Sequence, residues 1–367
     1  MQLSLALLGA ALVGVAAADE RVMVSGHLYT DSLGTLVSTP VANASMDVSD
    51  TVAVTGRAFV DVISSASRRI DGMSSASPEM GEETRRAGSL GVGYDRGAQR
   101  GSMLLERSVE PDYGSTTVGG GLSRDFAQRC TTLDAYWYHS FDTIEPLRLG
   151  QAGTESLRKD TDAWRFTFAQ VLTRGTVLTL SYSPTWVRGY QASPYYSDIV
   201  SHAEQSPVYV METHPERRFR EAASLRVDQW VPIRGALHPF VRLYRDDWGI
   251  RSVTAELAYN QHVGELVILG LRYRHYVQTA SDFHQDSYTA AEARQLTYLS
   301  LDYKYDAMVS QLWGTQAVVD LEPVRSRLDP ERLTQLSVHL AYDYYLQTHD
   351  DWSFVAHVGR FGVTSAF

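Results

Sequence analysis

Residues 253–260 read VTAELAYN and residues 266–276 read LVILGLRYRHY, and their alternation of apolar and polar side chains decides the fold class. In the first stretch the apolar residues Val253, Ala255, Leu257 and Tyr259 alternate with Thr254, Glu256 and Asn260. A period of two places successive side chains on opposite faces of a β-strand, whereas a helix needs apolar residues at spacings of three and four. Residues 263–265 connect the two stretches, which together predict two strands joined by a tight turn.

The same alternation recurs along most of the chain, for example over 219–230, 237–246 and 299–305. A soluble β-sandwich also alternates, but these segments are about 10–14 residues long, against a usual strand length of about 5–6. The polar face carries charges on strand after strand, which a wet lumen tolerates and a sandwich core does not. The pattern therefore predicts an all-β protein that forms a transmembrane, antiparallel, up-and-down β-barrel.

The composition agrees with a barrel and argues against several other classes. Hydrophobic residues make up 44% of the 367 residues and the mean hydropathy is -0.22. No apolar run after residue 18 approaches the ~20 residues of a membrane-spanning helix. Tyrosine accounts for 21 residues, which suits the aromatic girdles of a barrel. The single cysteine, Cys130, excludes an intramolecular disulfide, and the net charge of -10 argues against a nucleic-acid partner.

An apolar stretch over residues 1–18 ends in Ala16-Ala17-Ala18, an A-x-A cleavage site before Asp19. The expected domains are therefore a signal peptide at 1–18 and an outer-membrane β-barrel domain at 19–367. The alternative is an uncleaved inner-membrane anchor, because the stretch lacks the Lys or Arg that usually precedes the apolar region.

At the other end, residues 352–363 read WSFVAHVGRFGV and the chain ends at Phe367. A terminal Phe behind an aromatic-rich strand resembles the closing-strand signal of bacterial outer-membrane β-barrels. This resemblance implies that Phe367 is an assembly signal read by the barrel-assembly machinery, and that the protein resides in the cell outer membrane.

Both ends of such a barrel lie on the periplasmic side, so the number of strands should be even. Counting from Val22 gives about sixteen strands, at 22–30, 34–46, 51–65, 83–96, 101–112, 115–124, 131–143, 160–171, 175–190, 217–230, 236–247, 251–263, 266–280, 294–306, 331–347 and 351–366. The segment 307–330 reads either as a periplasmic excursion or as a further strand at 312–322, and counting that strand would break parity unless 22–30 is not a strand. Fourteen or eighteen strands also remain open. Short connections alternate with long ones, as periplasmic turns alternate with outer loops.

The alternation assigns a set of charged residues to the lumen. These are Arg57, Asp61, Glu106, Glu110, Arg165, Arg226, Asp228, Arg242, Asp246, Glu256, Arg272, Arg274, Asp302, Lys304 and Asp343. Both signs occur on neighbouring strands, so cross-strand pairs such as Arg242 with Glu256, or Glu256 with Arg272, are expected. Two interpretations remain open: a solute path with a transverse field, or a plugged lumen held together by ion pairs.

An outer turn is expected at Asp247, Trp248, Gly249 and Arg251, with Gly249 at positive φ and the turn's carboxylates neutralised by the arginines that flank them. In this interpretation Trp248 anchors the turn at the membrane interface. The alternative is a divalent cation bound by those carboxylates. The Ser-rich stretch 64–77 is read either as a sugar- or phosphate-binding surface or as a polar loop. No H-E-x-x-H, CxxC or G-x-S-x-G pattern is present, so we predict no catalytic residues, no metal and no cofactor.

Four stretches together carry a family resemblance. They are RDDWGIRS at 245–252 followed by TAEL at 254–257; DVISSAS at 61–67 with SSASP at 74–78 and EETR at 82–85; HPERR at 214–218 with EAASLR at 221–226; and Asp282-Phe283 with Tyr288. The chain resembles, over roughly residues 25–306, the bacterial outer-membrane barrels designated domain of unknown function 3570. This resemblance implies an outer-membrane β-barrel with no established activity, and it supplies no catalytic residues.

The sequence therefore predicts a non-enzymatic outer-membrane β-barrel, with a porin-like channel for small solutes as the leading function. One alternative is an enzyme that acts on lipid or lipopolysaccharide, which a Ser or His paired with a carboxylate on the lipid-facing side would indicate. The other is a passive structural or partner-binding barrel without a continuous channel. The expected partners are outer-membrane lipid, lipopolysaccharide and the assembly machinery, and the oligomeric state is left open.

Overall fold

Sixteen antiparallel strands close into one barrel in a computed structural model of the chain. The structure describes residues 20–65, 82–145, 156–192, 197–200, 208–328 and 333–367. The barrel strands are β1 (Arg21–Asp31), β2 (Thr35–Ser49), β3 (Val52–Ser65), β4 (Glu82–Arg96), β5 (Gln99–Val109), β6 (Tyr113–Phe126), β7 (Thr131–Ile144), β8 (Leu157–Thr173), β9 (Thr176–Gly189), β12 (Arg217–Val231), β13 (Gly235–Asp246), β14 (Arg251–Val263), β15 (Val267–Gln278), β16 (Met308–Asp320), β17 (Gln335–Thr348) and β18 (Ser353–Ala366). Two short strands, β10 (Ser197–Val200) and β11 (Val208–Met211), form a separate hairpin between β9 and β12. The expected fold class is confirmed.

Each barrel strand pairs with its neighbours in sequence, and β1 closes the barrel by pairing with β18. Closure matters because every strand then has a hydrogen-bonding partner on both sides, which a lipid environment requires. The described residues form no helix that is long and apolar enough to cross a membrane.

The pairing register separates two faces with a period of two. Leu225, Val241, Leu257, Leu269 and Leu271, which the alternation assigns to the lipid side, are all exposed and lie on the outer face of the sheet. Those outer-face predictions are confirmed. The charged residues of the same strands lie on the inner face.

The two ends of the barrel differ in their connections. The short-turn end holds both described chain ends and the connections 50–51, 97–98, 127–130, 174–175, 232–234, 264–266 and 321–334. The long-loop end holds four tight turns and the connection 279–307, and Ser65, Ile144 and Gly189 end their strands there before longer connections. Residues 1–18 of the expected signal peptide and 66–77 of the Ser-rich stretch lie outside the described residues.

The strand expected at 294–306 is wrong, and β16 (Met308–Asp320) takes its place. A capping box between Thr289 and Glu292 begins a short helix, α1 (Ala290–Gln295), and Tyr303–Tyr305 form a 3-10 helix. The apolar residues at 299–305 alternate in sequence, but they do not form a barrel strand. They pack at the long-loop end, where buried Leu299 bridges Thr213. The total stays at sixteen because one strand replaces another. At the short-turn end, α2 (Glu322–Leu328) follows β16.

Candidate functional site

The charged residues assigned to the lumen lie on one face of the barrel wherever they belong to a barrel strand. The register of each strand pair places this face inward for Arg57, Asp61, Glu106, Arg165, Arg226, Asp228, Arg242, Asp246, Glu256, Arg272, Arg274 and Asp343. Asp302 and Lys304 are different. They belong to the connection 279–307, not to a strand, so the expectation that they face the lumen from a strand is wrong.

Ion pairs connect the inner faces of β14 to β18. Asp343 accepts hydrogen bonds from Arg272 (2.8 Å) and from Arg360 (2.7 Å), and Arg274 donates to Glu256 (2.7 Å). The expected partners of Glu256 are wrong because the register places Arg274 directly opposite it. Arg242 instead lies opposite Thr254, with its guanidinium 5.5 Å from the centre of the Tyr244 ring.

A second set of charges lies on β3 to β8. Arg85 is 3.8 Å from Asp61 and 3.4 Å from Glu110, and Lys159 is 3.1 Å from Asp142. Sequence reasoning missed Arg85, Lys159 and Asp142 as lumen residues. The signal was available for Lys159, which has the parity of Arg165 on β8. Arg85 and Asp142 are identified by the register, which places them directly opposite Asp61 and Lys159.

The inner-face arginines remain open to water although the sheet encloses them. The exposed fraction of the side chain is 49% for Arg226, 40% for Arg274, 38% for Arg360 and 27% for Arg272. A lumen filled with side chains would bury these groups as a protein core buries its residues. Water can therefore reach these groups inside the closed sheet.

The connection 279–307, which we call the mouth segment, lies across the lumen at the long-loop end. Gln278 is the last residue of β15 and lies on its inner face. Its side-chain amide donates to the backbone oxygens of Lys304 (3.0 Å) and Asp306 (2.7 Å). On one side the Tyr305 ring lies 5.7 Å from the guanidinium of Arg218 on β12. On the other side the Tyr303 ring lies 6.3 Å from that of Phe354 on β18. Arg218 and Phe354 both point inward, so the segment narrows the mouth from within.

Trp248 fastens the mouth segment to the wall. Its ring is 5.1 Å from Phe283 and 5.7 Å from Tyr305, and the Arg218 guanidinium lies 4.1 Å from its centre. Its indole nitrogen donates to the backbone oxygen of Arg217 (3.0 Å). Only 3% of Trp248 is exposed, so its expected role as an interface anchor is wrong.

The turn that carries Trp248 has the expected backbone but different charge partners. Gly249 has φ +89, as predicted, and a Cβ at this position would overlap the Asp282 carboxylate. Asp246 is neutralised by Arg218, whose Nε donates to it at 2.9 Å, whereas Arg245 pairs with Glu221.

The flanking arginines therefore do not neutralise the turn, and that expectation is wrong. Asp247 accepts a hydrogen bond from the backbone of Phe219 (2.9 Å), and the backbone N–H of Arg251 donates to Thr279 (3.0 Å). The turn is thus held by β12 on one side and by the mouth segment on the other.

A buried polar cluster lies behind the mouth segment. Glu212 accepts hydrogen bonds from the Ser300 hydroxyl and from the backbone N–H groups of Leu301 and Asp302 (both 3.1 Å). His214 is 3.5 Å from Glu212, and burial lowers the pKa of His214 to about 4, so the ring is neutral. Ser300 is fully buried and bonded to a carboxylate instead of a histidine, which is not the arrangement of an activated nucleophile.

One histidine–carboxylate pair faces outward. His139 Nδ1 is 2.8 Å from Asp162 Oδ1, and the His139 ring lies 4.2 Å from Phe141 and 6.4 Å from Trp137. These side chains have the parity of the lipid-facing surface. The predicted assembly signal, Phe367, is half exposed at the short-turn end, where its N–H donates to the backbone oxygen of Glu20 (2.8 Å).

Comparison with solved structures finds outer-membrane barrels. The chain is similar to a structure described as "Bacterial polysaccharide outer membrane secretin", with 9% identity, a TM-score of 0.52, and 96% of this chain and 99% of that chain covered. It also matches the "CymD monoaromatic hydrocarbon channel" (9% identity, TM-score 0.44, 96% and 89% covered). A third match is OpdK of Pseudomonas aeruginosa with vanillate (8% identity, TM-score 0.44, 94% and 98% covered).

Comparison with curated proteins finds no match. The family model described as "Protein of unknown function (DUF3570)" matches residues 18–351. This range covers most of the chain and extends beyond the residues 25–306 that carry the resemblance, through β16 and into the turn after β17. The chain therefore belongs to the DUF3570 family of proteins of unknown function.

Proposed function

We propose that the protein is an outer-membrane channel for small polar solutes, with an outer mouth narrowed by the mouth segment. The observation that carries the proposal is the water exposure of the inner-face arginines Arg226, Arg272, Arg274 and Arg360 within a closed sheet. The long-loop end then faces the exterior and the short-turn end faces the periplasm.

The outer face supports a membrane location. Tyr273, Trp313, Tyr344 and His357 are direct cross-strand neighbours, with ring centres 5.6–5.7 Å apart. This row lies near the middle of its strands among exposed leucines such as Leu257 and Leu271, and an apolar outer surface of this kind suits contact with lipid.

The charges in the lumen favour a channel for polar solutes in general over a channel that selects ions of one sign. Arg272, Arg360 and Asp343 form a mixed group, as do Arg274 and Glu256. No ring of a single sign occurs among the described inner-face residues, and such a ring is what gives an ion channel its selectivity. The mouth segment limits solute size because it lies across the lumen.

Reconstitution tests the channel directly. Purified protein in planar bilayers should give discrete conductance steps, and vesicles carrying it should swell in small sugars but not in large ones. Trp248→Ala removes the ring that fastens the mouth segment, so it should raise the conductance and the size limit. Trp313→Ala removes a tryptophan from the outer face and should change neither. Silence of both the wild-type protein and Trp248→Ala would favour the passive barrel instead.

An enzyme acting on lipid or lipopolysaccharide is supported by one observation, the outward pair of His139 and Asp162. An imidazole oriented by a carboxylate is an arrangement suited to a general base. Release of fatty acid from lipopolysaccharide vesicles, lost in His139→Ala and retained in His262→Ala at the short-turn end, would establish this function. Equal rates with and without protein would exclude it.

Lipopolysaccharide remains the proposed partner of the outer rim. Arg188 lies directly opposite Arg217, and Arg245 directly opposite Arg251, all four exposed on the outer face at the long-loop end. Like charges in direct opposition destabilise a sheet, whereas guanidinium groups bind phosphate with two hydrogen bonds. Arg217→Gln should lower thermal stability in lipopolysaccharide vesicles but not in phosphatidylcholine. Arg96→Gln, at the short-turn end, should lower it in neither.

A further inference from the structure

The rim of the mouth holds a group of metal-ligating side chains outside the lumen ion pairs. His284 and Asp286 belong to the mouth segment and Asp306 lies at its end, just before β16. One ligand atom from each lies within 4.8 Å of the others, which is close enough for all three to contact one ion. His284 and Asp286 are near neighbours in sequence, and the fold of the mouth segment brings the distant Asp306 beside them.

The imidazole of His284 indicates a ligand rather than a packing role. Its side chain is 5% exposed, and it makes no hydrogen bond to any residue that the structure describes. A side chain this enclosed usually has a hydrogen-bonding partner, whereas the polar contact of His284 is with the Asp306 carboxylate. Its Nδ1 lies 3.7 Å from Asp306 Oδ1. That distance is too long for a hydrogen bond but fits two ligands that each bind one ion at about 2.0–2.2 Å.

Hydrogen bonds from neighbouring side chains fix the orientation of the Asp306 carboxylate. Asp306 Oδ2 accepts a hydrogen bond from His349 Nδ1 (2.6 Å), and the amide nitrogen of Gln347 lies 2.8 Å from His349 Nε2. An amide nitrogen can only donate, so His349 accepts at Nε2 and donates its single proton to Asp306. Partners of this kind hold a ligating carboxylate in place and raise metal affinity.

We propose that His284, Asp286 and Asp306 bind one divalent transition-metal ion, with His349 positioning Asp306. One imidazole nitrogen and two carboxylate oxygens favour zinc and its neighbours over calcium or magnesium, which prefer oxygen ligands alone. Three protein ligands leave a coordination position for water.

The ion would close the mouth segment onto β17. His349 directly follows the end of β17, and its ring stacks on Trp352, with ring centres 4.3 Å apart and an interplanar angle of 3°. The metal therefore fastens the side of the mouth segment that is opposite to Trp248. This inference does not depend on the channel, because it rests on a ligand set and not on solute passage.

The test uses the full-length protein in detergent, freed of metal with a chelator and titrated calorimetrically with Zn²⁺ and separately with Ca²⁺. We expect one equivalent of Zn²⁺ per barrel, bound at least tenfold more tightly than Ca²⁺. Asp286→Asn should weaken Zn²⁺ binding at least tenfold, and because Asp286 is exposed this variant should fold normally. His284→Ala should weaken it as much. His262→Ala, at the short-turn end, is the matched histidine control and should bind like the wild type.

A second readout links the ion to the mouth. Zn²⁺ should change the tryptophan fluorescence of the wild-type protein, and Trp352→Phe should remove most of that change without altering the stoichiometry. The proposal is overturned if Zn²⁺ binds equally to the wild type, His284→Ala and Asp286→Asn. It is also overturned if Ca²⁺ binds as tightly as Zn²⁺, since the imidazole would then contribute nothing.

Discussion

Leu257→Arg tests the assignment of the two barrel faces most directly. Leu257 is the seventh of the 13 residues of β14 (Arg251–Val263), and its side chain is exposed on the outer face. A cation at the midplane of a lipid-facing surface lowers the free energy of unfolding of an outer-membrane barrel by about 2–4 kcal/mol. That loss corresponds to a decrease of about 30- to 1000-fold in the folding equilibrium constant.

Val253→Arg is the matched control, because Val253 is on the same strand and the same face but near its outer end. The cost of a cation falls to about 0–1 kcal/mol near an interface. Equilibrium unfolding in urea, with the protein folded into lipid vesicles, measures both values. A loss for Leu257→Arg no larger than that for Val253→Arg would refute either the outward orientation of Leu257 or its place at the membrane midplane.

Four further predictions follow from other parts of the chain. Removal of Phe367 should sharply reduce insertion in cells but leave folding into detergent nearly unchanged, because the ladder of β18 ends at Ala366; equal yields in cells would contradict the signal role. Gly249→Val should lower the free energy of unfolding by at least ~1 kcal/mol, since its φ of +89 strains any branched residue; urea unfolding measures this. N-terminal sequencing of the assembled protein should begin at Asp19, and retention of Met1 would favour the anchor. Burial lowers the pKa of His214 to about 4, so its contribution to stability is complete above about 6.5 and is lost as the pH falls towards 4. The fluorescence of Trp248, next to His214, should report that loss, and His214→Gln should abolish the pH dependence.

The barrel wall could be predicted because its information is local. A strand shows its two faces through neighbouring residues, as Leu257 and Glu256 do, and consecutive antiparallel strands pair without any need for distant contacts. The choice of ion-pair partners was beyond this reasoning. Pairing Glu256 with Arg274 instead of Arg272 requires the register across the turn 264–266, and a small shift changes every partner.

The failure at 294–306 has a different cause. Leu299, Leu301, Tyr303 and Tyr305 alternate as a strand does, and period two alone cannot distinguish a wall from a segment packed over it. The capping box of Thr289 with Glu292 was a readable sign that a helix begins just before them. The requirement for an even number of strands then counted against a strand at 312–322, because it was considered as an addition to the strand at 294–306 and not as its replacement.

The mouth shows where sequence patterns cease to be informative. The aromatic cluster at the mouth draws on three separate loops. Trp248 comes from the turn after β13, Phe283 and Tyr305 come from near the two ends of the mouth segment, and His214 comes from the connection before β12. Their packing depends on contacts between separate loops, which no local period encodes, so Trp248 reads in sequence as an ordinary turn residue at a membrane interface. Places where local rules fail in this way are often functional. The same reasoning applies to His284, because the sequence does not show that the distant Asp306 lies beside its imidazole. The aromatic packing around Trp248 and the ligand group of His284 thus both lie at the long-loop end of an otherwise regular barrel.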